Sequence, residues 1–328
     1  MSMDDRDGFI WFDGKMVPWR EANVHVLTHT LHYGMGCFEG VRAYHTDKGA
    51  AIFALEAHTS RLLDSCKVLD MPITYSKQEL MDAQIAAVRD NKLDSAYIRP
   101  MVFYGSEGMG LRADNLSVRC IVAAWEWGSY LGQDGLEKGI RIKTSSYTRH
   151  HPNIAMTKAK ANGQYINSML ALGEALRDGY DEALLLDPEG YVAEGSGENI
   201  FIVRDGVIYT PETTTALNGI TRKTIFKLAQ DRGLEIVAKR ITRKTIFKLA
   251  QDQGLEITTK RMTRDEIYVA DEAFFTGTAA EVTPIAELDN RSIGSGTRGP
   301  ITERLQSDYF DLVHGRNEKY LNLLTFIN

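Results

Sequence analysis

The sequence has few cysteines and no long apolar run. Its 328 residues contain three cysteines, Cys37, Cys66 and Cys120, which are odd in number and far apart. We therefore expect no disulfide bond and no structural metal, and we expect a reducing cytoplasm. No apolar run approaches the ~20 residues of a membrane-spanning helix, and the acidic residues 1–7 have no apolar core. These absences predict neither a membrane span nor a secretory leader.

The chain has enough apolar residues for a large core. Its hydrophobic content is 43% and its net charge at pH 7 is −6, which is typical of a globular chain of about two domains. Asp13-Gly14 predicts a hairpin, and the capping box Ser76-Lys-Gln-Glu79 opens a helix that we expect to reach about Lys92. Strands are predicted at 96–105 and 118–127, which makes the first domain mixed α+β.

The second half of the chain is predicted to be mainly β. Turn signals at 187–190 and 205–206 separate strands predicted at 140–145, 182–186, 199–203 and 207–209. The glycine-marked stretch Gly128–Gly135 is the best linker candidate. We therefore predict a small α+β domain at 1–127, an interdomain loop at 128–137 and a large domain at 138–328, with the site in the cleft between the domains.

Several separated motifs occur in the order that a pyridoxal phosphate site would use. Lys160 is followed five residues later by Tyr165, and Lys158 is the competing lysine. An amine whose charged form is disfavoured could attack an aldehyde, and a carboxylate such as Glu194 would keep a pyridine nitrogen protonated. A phosphate group needs backbone N–H groups at a helix start and hydroxyl donors, which residues 219–221 and Thr278 could supply.

These residues lie in a pattern that resembles the fold-type IV pyridoxal phosphate enzymes, and among them the branched-chain amino acid aminotransferases. The likeness runs from Phe9 nearly to the C-terminus. Its motifs are His32-Tyr-Gly-Met-Gly-Cys-Phe-Glu-Gly-Val-Arg42, Ser95-Ala-Tyr-Ile-Arg-Pro100, Lys160 to Tyr165, Glu194 to Phe201, Gly219 to Arg222 and Gly277 to Pro284.

The resemblance implies a set of cofactor contacts. Lys160 would be the Schiff-base lysine, Glu194 the partner of the ring nitrogen, and Tyr165 the partner of the ring's phenolic oxygen. The matched phosphate and neighbouring cofactor positions are Arg61, Leu217, Gly219, Ile220, Thr221 and Thr278.

The resemblance also implies a substrate site and an activity. Tyr97, with the backbone of Thr278 and Ala279, would hold the α-carboxylate, and Arg99 would take the distal carboxylate of glutamate. Tyr97 and Arg99 are two apart on a predicted strand, so they should share one face. The positions that match the apolar side-chain pocket are Tyr33, Phe38, Met109, Trp127 and Tyr130. The implied reaction is transamination of leucine, isoleucine and valine with 2-oxoglutarate by a cytoplasmic homo-oligomer.

Other functions remain open at this point. Within the family these are D-amino acid aminotransferase, (R)-amine transaminase and aminodeoxychorismate lyase, against which Tyr97 and Arg99 argue. The glycines of 294–299 fit a dinucleotide fingerprint but lie too near the C-terminus for a βαβ unit, and we expect a loop before a helix that begins near Pro300. The histidines 25, 29 and 32 have metal-ligand spacing, but Val24 to Leu31 alternates as an extended segment would, so no metal is expected.

The chain also contains a tandem repeat. Residues 220–240 and 241–261 match at all but three positions, Arg232/Gln253, Val237/Thr258 and Ala238/Thr259. Two copies are too few for a solenoid, and the family pattern has one helix and one strand here. Residues 222–264 contain twelve Lys or Arg against four Asp or Glu, so a site for acidic partners is the rival function from a different class. We expect copy one to serve the phosphate and to pack in the core.

Overall fold

The computed structural model describes residues 2–128, 131–234, 236–238 and 261–327, with 236–238 described by its backbone alone. The chain divides into two compact units. Unit 1 comprises Met1–Gly128, Lys158–Ile166 and Phe310–Asn328, and unit 2 comprises Ser129–Thr157 and Asn167–Tyr309. In these described ranges, no helix is long and apolar enough to cross a membrane.

Unit 1 is built on one antiparallel sheet. Its helices are α1 (His29–Tyr33), α2 (Leu55–Val68) and α3 (Lys77–Arg89). Its strands are β1 (Phe9–Phe12), β2 (Lys15–Pro18), β3 (Gly36–Phe38), β4 (Val41–Thr46), β5 (Gly49–Phe53), β6 (Ala96–Tyr104), β7 (Val118–Trp125) and the C-terminal β17 (Leu324–Phe326). Among the described residues the sheet order is β17-β5-β4-β6-β7-β1-β2, and β3 also pairs with β6.

The core of unit 1 lies between this sheet and helices α2 and α3. Leu80, Ala83 and Ala87 of α3 follow helical spacing, which puts them on one face, and they pack in the same cluster as Val102 and Val122 of the sheet. The capping box predicted for α3 is confirmed, because Ser76 accepts from the Glu79 N–H and Glu79 accepts from the Ser76 N–H.

Unit 2 is built on a mixed sheet. Its helices are α4 (Gly132–Lys138), α6 (Ile220–Asp231) and α7 (Arg264–Tyr268), while α5 (Tyr165–Arg177) and α8 (Pro300–Val313) contain residues of both units. Its strands are β8 (Ile140–Thr148), β9 (Glu182–Leu186), β10 (Val192–Gly195), β11 (Asn199–Arg204), β12 (Val207–Thr210), β13 (Ile236–Ala238), β14 (Glu272–Gly277), β15 (Glu281–Leu288) and β16 (Arg291–Ser292).

The sheet of unit 2 runs in the order β10-β9-β8-β15-β14-β11-β12-β13 through the described residues, with β16 against β15. Its buried core includes Ile142, Leu184, Ile200, Phe275 and Ile285, one from each of five strands. Asp205 and Gly206 both have positive φ, 52° and 77°, as the two-residue hairpin between β11 and β12 requires. The strands and turns predicted for this half of the chain are therefore confirmed.

Three predictions of organisation need correction. The predicted interdomain loop 128–137 is partly helical, because α4 begins at Gly132. The predicted large domain 138–328 is not continuous, since segments 158–166 and 310–328 belong to unit 1. The N-terminal histidine segment is not extended as predicted, because residues 26–27 form a turn and α1 begins at His29.

Long-range backbone pairing explains why a continuous division failed. Strand β17 pairs with β5, and Ala161 bridges to Cys37 of β3. Each of these contacts joins parts of the chain that are far apart in sequence, and local composition does not encode such pairings.

The first copy of the repeat supplies one helix and one strand of unit 2. Its helix α6 buries Ile225, Leu228 and Ala229, and its short strand β13 lies parallel to β12. Residues 241–260, almost all of copy two, lie outside the described residues, and so do the charged residues within that range. The expectation about copy two therefore stays a prediction.

Candidate active site

The backbone of Lys160 is fixed within unit 1. Its carbonyl accepts from the Phe38 N–H at 3.1 Å, and its N–H donates to Ser65 Oγ at 3.0 Å. Ser65 lies on α2, where its hydroxyl also donates to the Arg61 carbonyl. The lysine is thereby attached to both a strand and a helix of the unit.

The amine of Lys160 meets the side chain of Tyr165 as the motif predicted. Nζ donates to the Tyr165 hydroxyl at 2.6 Å, and it lies 5.1 Å from the ring centroid of Phe38. The rings of Phe38 and Tyr165 are 4.9 Å apart. The amine is therefore held between two aromatic side chains and oriented by a hydroxyl.

The electrostatics of this amine differ from the expectation that its charged form is disfavoured. Burial would lower the pKa of Lys160, but the charges of Tyr165 and Glu39 and the hydrogen bond to Tyr165 outweigh burial and raise it. The expectation is thus wrong for the protein chain alone. Of the oxygen partners that cause this, Tyr165 was expected from the motif, whereas Glu39 was not.

A buried charge cluster lies next to the lysine segment. Both carboxylate oxygens of Glu39 accept from Arg61, at 2.6 and 2.8 Å, and Glu39 also accepts from His58 Nδ1 at 2.8 Å. Burial alone would raise the pKa of Glu39, but the Arg61 charge and the hydrogen bonds from Arg61 and His58 hold it below its usual range. Burial also lowers the pKa of His58, which favours the neutral ring. Two nitrogens of Arg61, predicted as a phosphate ligand, are thus committed to Glu39.

Several of the predicted substrate residues converge in unit 1. Tyr97 and Arg99 share a face of β6, as predicted, because Arg99 Nη2 donates to the Tyr97 hydroxyl at 3.1 Å. The Arg99 guanidinium lies 4.5 Å from the Phe38 ring centroid, and the rings of Tyr97 and Trp127 are 4.5 Å apart. A continuous set of contacts thus connects Trp127, Tyr97, Arg99 and Phe38 to Lys160.

Arg99 is suited to bind an anion. Its Nε is buried without a hydrogen-bond partner, and in the described ranges no carboxylate lies within ion-pairing distance of its guanidinium. Its contacts are one hydroxyl and two aromatic faces. A carboxylate that binds there would be strongly stabilised, because the guanidinium can still form with it the two parallel hydrogen bonds of an arginine–carboxylate pair.

The other pocket positions are less connected. The hydroxyl of Tyr33 accepts from the Gly110 N–H at 3.1 Å, which puts Tyr33 beside the loop that carries the half-exposed Met109. No contact of the described side chains joins Tyr33 or Met109 to Lys160. Tyr130 lies outside the described residues.

In unit 2 the predicted acid Glu194 is buried on β10 and paired with an arginine. Arg149 Nε lies 2.8 Å from Glu194 Oε1. The same guanidinium donates to the carbonyls of Gly195 and Ser196, and to the side chains of Asn167 and Ser168. Arg149 therefore fixes the strand that carries Glu194 and also favours the charged form of that carboxylate.

Two further carboxylates are buried near this pair. Burial and the charge of Glu182 raise the pKa of Glu198 well above its ordinary value, and burial also raises the pKa of Glu182. Glu198 accepts a hydrogen bond from the Gly197 N–H, and Glu182 accepts from the Ala183 N–H and from Ser196. Burial thus favours the protonated form of Glu198 in the folded chain.

The predicted phosphate residues of unit 2 surround the start of α6. Gly219 is the N-cap, and Ile220 and Thr221 begin the helix. The Gly219 N–H donates to Asn199 Oδ1 at 3.0 Å, and the Leu217 carbonyl accepts from Asn199 Nδ2 at 2.9 Å. Since these backbone groups already have partners, the donors for an anion would be the N–H groups of the first helical turn.

Thr278 and Ala279 lie in the tight turn between β14 and β15. Both are partly buried, and Thr276 just before them carries a buried hydroxyl oxygen without a hydrogen-bond partner among the described residues. A short turn with partly accessible backbone groups is suited to the carboxylate contact predicted for it.

Five residues at these sites were missed by the sequence reasoning: Glu39, His58, Ser65, Arg149 and Asn199. Glu39 and Asn199 lie within the motifs that carry the family resemblance. Their position in those motifs was the signal that could have identified them. Arg149 follows the end of β8 and has no local signature, because its partners come from distant segments.

Comparisons with known proteins agree with this geometry. The family described as amino-transferase class IV matches residues 36–242 and 237–288, two ranges that overlap near the junction of the two repeat copies. The branched-chain-amino-acid aminotransferase of Pseudomonas aeruginosa is 62% identical over 327 residues, covering 100% of both chains.

Solved structures also resemble the chain. A T.th. branched-chain amino acid aminotransferase with pyridoxamine 5'-phosphate has a TM-score of 0.90 and 47% identity, over 98% of this chain and 99% of that one. The same enzyme complexed with N-(5'-phosphopyridoxyl)-L-glutamate has a TM-score of 0.89 and the same identity and coverage. The predicted fold-type IV architecture is confirmed, and the chain belongs to the class IV aminotransferase family, in the group of the branched-chain-amino-acid aminotransferases.

Proposed function

We propose that this protein is a pyridoxal phosphate enzyme that transfers the amino group of leucine, isoleucine or valine to 2-oxoglutarate. The products are the branched-chain 2-oxo acids and L-glutamate. The observation that carries the proposal is the Lys160 amine, which is held on the Tyr165 hydroxyl at 2.6 Å in a chain of this family. The alternative functions, a D-amino acid transaminase or an (R)-amine transaminase, do not explain the presence of Arg99 as well.

The residues present fit pyridoxal phosphate. The chain offers an amine beside a phenol, a buried carboxylate kept charged by Arg149, and a helix start with donors for an anion. When bound, the cofactor supplies an aldehyde that accepts the amino group and a ring that withdraws electrons from the substrate's α-carbon. Pyridoxamine phosphate and phosphopyridoxyl-glutamate occur in the similar solved structures.

Each of these side chains has a defined task. Lys160 Nζ attaches the cofactor and then moves the proton at the substrate's α-carbon, while the Tyr165 hydroxyl orients Nζ. Glu194, held by Arg149, accepts a hydrogen bond from the cofactor's ring nitrogen. Arg61 and the N–H groups of Ile220 and Thr221, with the Thr278 hydroxyl, bind the phosphate. The two substrates react in turn, which gives ping-pong kinetics.

Recognition of two unlike substrates depends on Arg99. We assign the α-carboxylate to Tyr97 and the backbone of Thr278 and Ala279, and the distal carboxylate of glutamate to Arg99. Aliphatic side chains would contact the aromatic faces of Phe38 and Trp127 instead. Tyr33, Met109 and Tyr130 complete the proposed apolar lining.

Reduction with borohydride tests the role of Lys160. Peptide mapping after reduction of the cofactor-loaded enzyme should place the pyridoxyl group on Lys160, and Lys160→Ala should lose transamination while keeping its circular dichroism spectrum. Lys158→Ala, two residues away and exposed, is the matched control that should keep the label. A label on Lys158, or no label on either lysine, would refute the assignment.

The Arg99→Ala variant tests the substrate assignment. Losing a charge-assisted hydrogen bond costs about 1.5–3 kcal/mol, so kcat/KM for glutamate should fall about 10- to 150-fold, whereas leucine should be less affected. Steady-state kinetics with both donors measure this difference. An equal loss for both donors would mean that Arg99 has a structural role.

We also propose that the enzyme is a homo-oligomer of the cytoplasm. Met169, Leu170 and Leu176 of α5 are exposed apolar residues on one helix face, which a second copy of the chain would cover. The three cysteines are all free thiols, as a reducing compartment would keep them. Light scattering in solution checks the assembly, and a monomeric mass would contradict it.

A further inference from the structure

We propose that Asn199 is a positioning residue that sets the phosphate-binding start of α6. This inference rests on the proposed function, because it concerns the same cofactor. It adds a residue that touches no substrate or cofactor group and acts through the backbone of residues 217–219. In the motif that contains Asn199, Glu194 to Phe201, only Glu194 otherwise has an assigned role.

The side chain of Asn199 contacts the loop before α6 at two points. Its Nδ2 donates to the Leu217 carbonyl at 2.9 Å, and its Oδ1 accepts from the Gly219 N–H at 3.0 Å. Asn199 is buried at the start of β11, where it pairs with Thr276 of β14. The loop is therefore fixed to the central sheet of unit 2 by both polar groups of one amide.

This contact directs the helix start. Gly219 is the N-cap of α6, and its N–H is already used by Asn199, so the donors that remain for an anion begin at Ile220 and Thr221. If the N-cap shifted, the N–H groups of Ile220 and Thr221 would point in a different direction, because the first turn of the helix connects them rigidly to the N-cap. Asn199 therefore determines where the positive end of the helix dipole points.

The glycine at position 219 is explained by the same contact. Its φ of −60° is accessible to any residue, so no left-handed conformation demands glycine. A Cβ there would lie 2.2 Å from Asn199 Oδ1. The close approach that favours glycine at this position is thus to the side chain of Asn199.

Arg222 supports the same loop from the helix side. Its Nη2 donates to the Pro211 carbonyl at 3.2 Å, and its Nη1 lies 3.5 Å from Asn218 Oδ1. Burial lowers the pKa of Arg222 to about 10. A cation without a carboxylate partner in the described residues raises the positive potential at the start of α6, which favours a phosphate group there.

The contact also distinguishes the two repeat copies. In copy two the residues before the Ile-Thr-Arg triplet are Lys239 and Arg240, where copy one has Asn218 and Gly219. A side chain at the N-cap would come too close to Asn199 Oδ1, as a Cβ added at position 219 would. Only copy one can therefore take this position next to Asn199.

The test compares pyridoxal phosphate with pyridoxal, which lacks the phosphate. Dissociation constants are measured by absorbance for the full-length enzyme stripped of cofactor and for Asn199→Ala, Gly219→Ala and the double variant. Each single variant should bind pyridoxal phosphate about 10-fold more weakly and pyridoxal nearly as well as the parent enzyme. The double variant should lose much less than the two single losses combined, because both act on one contact.

Thr210→Val is the matched control. It removes a buried hydrogen bond to the Ile200 carbonyl on the neighbouring strand, 2.8 Å long, without touching residues 217–219. It should lose stability but keep its preference for pyridoxal phosphate. Unchanged affinity of the Asn199 and Gly219 variants, equal losses for both ligands, additive losses, or the same loss in Thr210→Val would each overturn the proposal. A parent enzyme that takes up no pyridoxal phosphate would instead refute the proposed function.

Discussion

The two units bury carboxylates in opposite electrostatic states. In unit 1, Glu39 is fully buried and its pKa lies below the ordinary range, because the charge and hydrogen bonds of Arg61, with a further hydrogen bond from His58, outweigh burial. In unit 2, Glu198 is also buried, but burial and the charge of Glu182 raise its pKa well above the ordinary value. Folding therefore favours the charged form of a glutamate in one unit and the protonated form of a glutamate in the other.

The number of cations per carboxylate explains the difference. Glu39 receives both hydrogen bonds of a bidentate arginine. Glu198 and Glu182 share the influence of Arg149, whose closest carboxylate is that of Glu194. The Arg149 guanidinium lies against Glu194 and stabilises its charged form, whereas burial favours the protonated forms of Glu198 and Glu182. This arrangement keeps the charge at the residue that we assign to the cofactor's ring nitrogen.

The largest expected effect is that of Glu39→Gln in unit 1. The substitution removes the charged partner of the buried Arg61 guanidinium, which should lower the free energy of unfolding by about 3–5 kcal/mol. Urea denaturation followed by tryptophan emission measures it well, since all four tryptophans, Trp11, Trp19, Trp125 and Trp127, belong to unit 1.

Glu198→Gln in unit 2 is the matched control for that comparison. Because burial favours the neutral carboxyl of Glu198, replacing it by an amide should change the free energy of unfolding by less than about 1 kcal/mol. Equal losses for the two variants would show that the charge states of Glu39 and Glu198 do not differ, which would contradict the comparison.

A smaller effect is expected in the pH dependence of stability. The folded pKa values of His58 and Glu39 lie below their ordinary values of 6.5 and 4.5, so the unfolded chain binds more protons. Their stabilisation is present above those ordinary values and is lost as pH falls below 6.5 and then below 4.5. For Glu198 the folded pKa is raised, so its contribution is present below 4.5 and is lost as pH rises through the folded value.

Unfolding measured between pH 4 and pH 8 distinguishes the stability that is lost toward acid from the stability that is lost toward alkaline pH. Tryptophan emission should report a loss of unit 1 stability toward acid. Circular dichroism should show that Glu198→Gln is less destabilised than the parent protein toward alkaline pH. A parent and variant with parallel pH profiles would contradict the raised pKa of Glu198.

The smallest effect is expected from deleting residues 241–261 of unit 2. Copy one already supplies α6, β13 and the contact between Gly219 and Asn199. Arg261 of copy two pairs with Asp187 and Glu189, but after the deletion Arg240 directly precedes Met262 and can take over these contacts. The affinity for pyridoxal phosphate and the activity should stay within about twofold of the parent. Loss of both would mean that copy two is part of the working fold. Weaker retention of the deletion variant on an anionic column at low salt would follow from its lower charge alone.

Local signals predicted most of the secondary structure. The hairpin at Asp13-Gly14, the capped start of α3 and the start of α8 at Pro300 were predicted correctly because short-range turn and capping chemistry fixes them. The helix at His29 was missed. Its five residues are too few for a helical period to show against the alternating apolar and polar residues of Val24 to Leu31.

The candidate site was predicted in part. The motif spacing gave the contact of Lys160 with Tyr165 and the shared face of Tyr97 and Arg99, since both depend on near neighbours in sequence. The pairing of Arg149 with Glu194 was not predictable, because the two residues are 45 positions apart and their contact exists only after β8 and β10 enter one sheet. The other assigned contacts with cofactor and substrate stay predictions.

The sequence by itself determined the family, the order of the chemical groups and the local elements, because motifs, caps and turns act over a few residues. Tertiary structure alone decided in which direction the pKa values of the buried carboxylates shift and which backbone donors are left for an anion. Those properties depend on burial and on partners such as Arg61, Arg149 and Asn199, which reach their targets from distant segments. Desolvation and pairing energies arise only where the folded chain brings such groups together.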